Sequence, residues 1–186
     1  MTDLTTLANV AGWLRYTPNT ADSALLSRLI TAASDFVEAW CGRTFLSARY
    51  DELRSGNGHR MLTLNNTPCT AVASVTIDGV AIPAAAGPTA SGYRFTDTMV
   101  ILNGYCFGRG IANVELVYTA GFASVPPGVE QAVIDLVALR YRELDRIGMA
   151  SQSVGGETTA YVIRDMPPQV ATALASWKPV VPRELV

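Results

Sequence analysis

Residues 114–133, VELVYTAGFASVPPGVEQAV, change hydrophobic period within twenty positions. Val114, Leu116 and Tyr118 alternate as one face of a strand does, whereas Val129, Val133, Leu136 and Val137 recur at helical spacing. Ala120-Gly121-Phe122 breaks the strand. Pro126 and Pro127 then start the helix, where a missing N–H costs nothing because the first helical positions have no partner for it. Such a junction either positions an active site or joins two structural parts. It contains no nucleophile and no base, so Gly121, Pro126 and Pro127 read as a mechanical joint between a β region and a helix.

The flanking sequence predicts the elements that the joint connects. A first helix is expected over 6–15, with Leu7, Val10, Ala11 and Leu14 on one face. Pro18 ends that region, and Asn19 or Thr20 can cap a second helix over 21–41. Its apolar stripe is read as Leu25, Leu29, Ala33, Phe36, Val37 and Trp40, broadened by Leu26 and Ile30, with Gly42 as a left-handed C-cap. Residues 44–119 read as six or seven short strands. The strongest turn signal there is Asp78-Gly79 between Val75/Ile77 and Val80/Ile82, the pattern of a two-residue type I′ hairpin. A long central helix is expected over 127–146; from Ala132 to Leu139 only Asp135 is polar, so it should be covered on more than one side.

Strands and helices are segregated along the chain, which predicts α+β: a helical bundle with an inserted antiparallel β region. The expected organisation is one domain over 1–148, followed over 149–186 by a flexible linker, a short helix and a proline-limited C-terminal docking tail.

Charge narrows the functional classes. The 186 residues carry 14 basic and 16 acidic side chains, net −2, without the basic excess of a protein that grips duplex phosphates. Charged residues make up 16%, below the typical ~25%, consistent with a surface partly covered by other protein. No stretch approaches the ~18 apolar residues of a membrane span. The first residues lack the basic start and apolar run of an export signal. Cys41, Cys69 and Cys106 stand far apart, an odd count that fits reduced thiols in a protein made in the cytoplasm.

Chemistry is sparse. His59, the only histidine, lies in the glycine-rich turn SGNGHR and reads as exposed. A hydrolase would have to pair it with Cys106 or Cys41, neither of which has a nucleophile's setting. GYCFGRG (104–110) superficially matches a phosphate loop. It leads into a strand, whereas a phosphate cradle needs a helix N-terminus, so a glycine-rich hairpin loop is expected instead. No metal-ligand spacing occurs. The reading is therefore not an enzyme, with no cofactor and no metal.

The order DSALLSRLITAASDFVEAWCGRTF, then VASVTIDG, then VELVYTAGFASVPPGVEQAVIDLVALRYRE resembles the head–tail connector (adaptor) proteins of tailed double-stranded DNA bacteriophages and prophages. The similarity runs from about Leu4 to Val181, with Phe122 and Tyr141 at aromatic positions of the pattern; Trp177 and Lys178 depart from it. The resemblance implies a virion structural protein at the head–tail interface. There it would form a ring, generally dodecameric, below the portal protein, extend the DNA channel and offer a platform for a stopper or tail-completion protein. Packaged DNA would pass without sequence-specific binding, and no membrane is involved. A tail completion or terminator ring is the alternative reading.

The candidate partner and subunit contacts under this resemblance are Tyr141, Arg142, Arg146, Trp177, Lys178, Val180, Val181 and Arg183. Prolines 179 and 182 restrict the free tail, which lowers the ordering cost of docking. Two alternatives stay open. Trp177, Val180 and Val181 could fold back onto their own core, and Arg140, Arg142 and Arg146 have the composition of a solvated helix end.

Overall fold

The computed structural model describes residues 2–144, 151–154, 157–160 and 166–178. The chain is α+β and divides into two compact units, one of residues 2–43 and 125–178, the other of residues 44–124. The division falls just after Gly42 and between Gly121 and Pro126.

The first unit is helical: α1 (Leu7–Leu14), α2 (Thr20–Cys41), α3 (Pro127–Arg142) and α4 (Pro168–Ala175). Thr6 caps α1 by accepting from the Asn9 N–H, and Asn19 caps α2 by accepting from the Asp22 N–H. Gly42 ends α2 at φ 68, ψ 30, the left-handed geometry that its missing Cβ makes cheap. Helix α3 packs against α1, α2 and α4, and Val129, Val133, Leu136 and Val137 are buried along it. The wide apolar surface thus has neighbours on several sides. Glu130 fastens the first turn of α3 to the start of α1, accepting from Asn9 Nδ2 at 2.6 Å and Thr5 Oγ1 at 3.1 Å. A carboxylate there also complements the helix dipole.

Two expectations for the helices are corrected. Among the described residues the expected long central helix is not matched: α3 has 16 residues and ends at Arg142 rather than 146, while α2, with 22, is longer. The buried stripe of α2 is Leu26, Ile30, Ala33, Val37 and Cys41. Leu26, Ile30, Ala33 and Val37 belong to the expected stripe, whereas its other members Leu25, Leu29 and Phe36 are half-buried and Trp40 is exposed. Neighbouring registers of a helix with so many apolar residues differ by ~100° of rotation, and packing chooses between them. Part of the expected linker also has regular structure. β8 (Ser151–Val154) and β9 (Glu157–Ala160) pair antiparallel.

The second unit holds β1 (Ala48–Gly56), β2 (Met61–Thr63), β3 (Cys69–Ile77), β4 (Val80–Ile82), β5 (Gly92–Phe95), β6 (Met99–Asn103) and β7 (Gly110–Ala120). They form an antiparallel four-stranded sheet, β1-β7-β3-β4, and an antiparallel three-stranded sheet, β2-β6-β5. One core joins their inner faces, including Leu62, Val75, Val100, Leu102, Leu116 and Tyr118. The expected hairpin is present: Ile77 pairs with Val80, and Asp78 and Gly79 have φ 51 and 78, both positive as type I′ requires. Residues 104–109 are not a hairpin loop, since β6 belongs to one sheet and β7 to the other. The turn glycines there serve a crossover between sheets.

Gly121 does more than permit a turn. Its φ is +113, and a Cβ would stand 2.6 Å from the Leu46 carbonyl oxygen and 2.9 Å from Ser47 Cα. Beyond it, Phe122 N–H donates to Phe45 O and Ser47 N–H donates to Phe122 O. The chain leaving β7 is thereby stitched to the segment entering β1.

Candidate functional site

The contact residues expected from sequence fall into two places on the helical unit. Tyr141 rests against Tyr16, ring centroids 6.4 Å apart. Tyr16 in turn donates to Asp22 Oδ2, and that bond is the main reason its phenol is pushed up to about 12. Arg142, one residue on, lies beside a groove of 460 Å³ between α1, α3 and α4. Trp13 stands 54% exposed at this groove, with Leu139, Pro167, Pro168 and Val170 as its apolar walls. Asp135 and Glu143 add two carboxylates on the α3 wall.

Trp177 and Lys178 lie after the other end of α4. Trp177 is half-buried, its N–H donating to Leu174 O. Lys178 Nζ sits 4.4 Å above the centre of the Trp40 ring, Trp40 lies 6.3 Å from Phe36, and the Arg140 guanidinium is 5.5 Å above Phe36. A cation thus stands at each end of a pair of rings, and each cation–ring contact is attractive because the ring face carries the negative part of the quadrupole. Arg146, Val180, Val181 and Arg183 lie outside the described residues.

Trp13, Tyr16, Phe36, Trp40 and Arg140 were not among the expected site residues. The signal for Trp40 was its place at the end of the apolar stripe, which marked it as core. Trp13 lies off the stripe expected for the first helix, and that was the available sign of exposure. Arg140 is half-buried over Phe36 rather than a purely solvated helix end.

Cys41 and Cys69 are buried, and desolvation pushes both thiols up, away from the thiolate that would attack a substrate. Cys106 is exposed. His59 is exposed too, in a turn where its backbone N–H donates to Asn57 Oδ1 at 2.8 Å. Among the described residues, no three His, Cys, Asp or Glu side chains are grouped to hold a metal, and no helix is long and apolar enough to cross a membrane.

The site's features are therefore surfaces: an aromatic groove and a cation–ring row. A family profile described as "Head completion protein" matches residues 3–180, nearly the whole chain. The chain belongs to the head completion protein family. This is consistent with the resemblance to head–tail connector proteins carried by its ordered motifs. No curated protein matches the sequence. Among solved structures, this head completion family chain is similar to one in the neck of an empty gene transfer agent (GTA) particle computed with C6 symmetry. That match has 24% identity over 96% of this chain and 95% of the other, with a TM-score of 0.55. It is likewise similar to a chain in the neck of the native GTA particle computed with C12 symmetry, at 21% identity over 94% and 88%, TM-score 0.54. A chain in the virion of the native GTA particle matches at 22% identity over 96% and 95%, TM-score 0.57. At these identities the likeness is one of fold, and it extends through both units.

Proposed function

We propose that this protein is a structural subunit of the neck between head and tail of a phage-like virion. It assembles as a ring of about twelve copies below the portal, extends the DNA channel, and carries the stopper or tail-completion protein on its far side. The observation that carries this reading is the family match over residues 3–180. It is supported by the shared fold with neck chains of particles computed with six- and twelvefold symmetry. The subunit acts by assembly rather than catalysis. Its buried thiols are held protonated and its histidine is solvated, which suits a part without an active site. A net charge of −2 suits a channel through which DNA must slide, because strong phosphate contacts would hold it.

Electron microscopy of the full chain mixed with purified portal rings tests the proposal. A coaxial second ring below the portal is expected, along with heads that lack a neck and leak DNA when the gene is deleted. Failure to bind portal together with necks that assemble normally without the protein would overturn it. Recovery of the protein on free tails rather than on tail-less heads would instead favour a tail completion ring.

A further inference from the structure

One end of the β unit is built from three segments distant in sequence, 56–61, 78–80 and 104–112, and hydrogen bonds lock them together. Gly58 N–H donates to Phe107 O at 2.7 Å, and Phe107 N–H donates to His59 O at 2.9 Å. Asn113 ties in the rest. Its Nδ2 donates to Asp78 Oδ1 and to Gly108 O, both at 3.0 Å, and its Oδ1 accepts from Gly56 N–H at 2.9 Å. A Cβ on Gly56 would stand 1.9 Å from Gly108 O, so the segments leave no room to slide.

This rigid end presents one side chain to solvent. Opposite the single residue Ser55 of β1, β7 fits three, Ile111, Ala112 and Asn113. Within that bulge Ala112 takes a φ of 51, a left-handed conformation that is strained for a residue with a Cβ. The bulge leaves Ile111 93% exposed. A bulge that re-aims a side chain at the cost of backbone strain is a device of functional rims.

The surroundings of Ile111 indicate what it meets. Met61, Val80 and Tyr105 are exposed on the same three segments. With Ile111 they are four of the nine large hydrophobic side chains exposed among the described residues, so the exposure is concentrated rather than scattered. Arg60 and Arg109 stand against one carboxylate, Asp78, which gives this end net +1 in a chain of net −2. Aromatic, methionine and arginine side chains around an apolar centre make up the composition of a protein–protein interface. Two guanidinium groups are few for gripping duplex phosphates, which favours protein over DNA. In a two-fold contact with a second copy, the same guanidinium groups would oppose each other, which favours a different protein.

We propose that this end of the β unit docks the protein that joins the ring from the tail side, with Ile111 entering an apolar cleft whose rim carries carboxylates for Arg60 and Arg109. The inference rests on the neck reading above. In a ring every copy presents the same rigid end, so many anchors engage together and each contact need only be weak. Rigidity before docking also spares the ordering cost that a mobile loop would incur.

The test is complementation of a deletion of the gene with the full chain, as wild type, as Ile111→Asp, and as Arg60→Glu with Arg109→Glu. Electron microscopy then counts rings below the portal and attached tails. Both variants are expected to restore the ring and to lower the fraction of tailed particles at least about tenfold. Circular dichroism of the purified variants checks folding; should one fail to fold, the other decides. Tailing equal to wild type would overturn the proposal. So would a folded variant that adds no ring, because the surface would then be a subunit or portal contact. Binding of a fluorescent DNA duplex by the wild type, lost on charge reversal, would assign the surface to DNA and overturn it too. A wild type that adds no ring would overturn the neck reading, and this inference with it.

Discussion

Tyr118 donates its phenol hydrogen to Glu52 Oε1 at 2.6 Å, joining two strands whose residues are 66 positions apart. Asn66 completes the group, its N–H reaching Tyr118 Oη at 3.2 Å and its side chain reaching Glu52 at 3.0 Å. Asn65 and Arg54 donate to the other Glu52 oxygen. The edge strand β1, the central strand β7 and the loop that leads from β2 to β3 therefore share one polar cluster beside the core.

Removing the phenol oxygen takes one partner each from Asn66 and Glu52 in a partly buried site. Tyr118→Phe is expected to destabilise the fold by about 1–3 kcal/mol, read from urea unfolding at neutral pH. The same phenol governs an alkaline effect. Burial, and then the bond to Glu52, raise its pKa above the ordinary 10.0, so the fold holds it neutral. Its contribution is fully present below pH 10 and declines above it, as the unfolded chain releases the proton and the folded one does not. Unfolding midpoints measured from pH 8 upward should fall less steeply in Tyr118→Phe than in the wild type. Parallel curves would refute this.

Two glycines give opposite expectations for the same substitution. At Gly121 an added Cβ meets backbone at 2.6 Å under a φ of +113, so Gly121→Ala should cost on the order of 3 kcal/mol from overpacking and strain together. At Gly42, with φ +68, nothing lies within 4 Å, and Gly42→Ala should cost only about 1 kcal/mol. Chemical denaturation of both variants side by side gives the difference.

Tyr16 should titrate late although it is exposed. Its bond to Asp22 raises the phenol to about 12. Ultraviolet difference titration of wild type against Tyr16→Phe should show one phenol ionising near 12, and Asp22→Asn should bring it back toward 10.0.

The ammonium of Lys178 lies over the Trp40 face, a pairing worth about 0.5–1 kcal/mol at an exposed site. Lys178→Ala should lower stability by that amount and change Trp40 fluorescence, whereas Lys178→Arg should preserve both. A double-mutant cycle with Trp40→Leu isolates the pair, and a coupling of zero would remove the contact from the account.

Much of the architecture was legible because it depends on neighbours in sequence. The cap at Asn19, the left-handed stop at Gly42, the type I′ turn at Asp78-Gly79 and the helix start at Pro127 are each specified within a few residues by backbone preference. The absence of a nucleophile in the strand-to-helix junction was equally local. The surfaces were not. Trp40 carries the same apolar signature as a core residue, and only the packing of α2 left it facing Lys178. Residues 104–109 have the composition of a hairpin loop, and only the pairing of β6 and β7 with different partners made them a crossover.

Local chemistry thus decided where elements begin and end, the α+β class and the positions of the joints between the two units, since caps, turns and periodicity act through covalent neighbours. The close approach at Gly121, the register of α2, the Tyr118–Glu52 cluster and the Trp13 groove were decided by tertiary structure alone. Each depends on which distant segments lie together, and a helix or strand with several apolar faces does not specify that by itself.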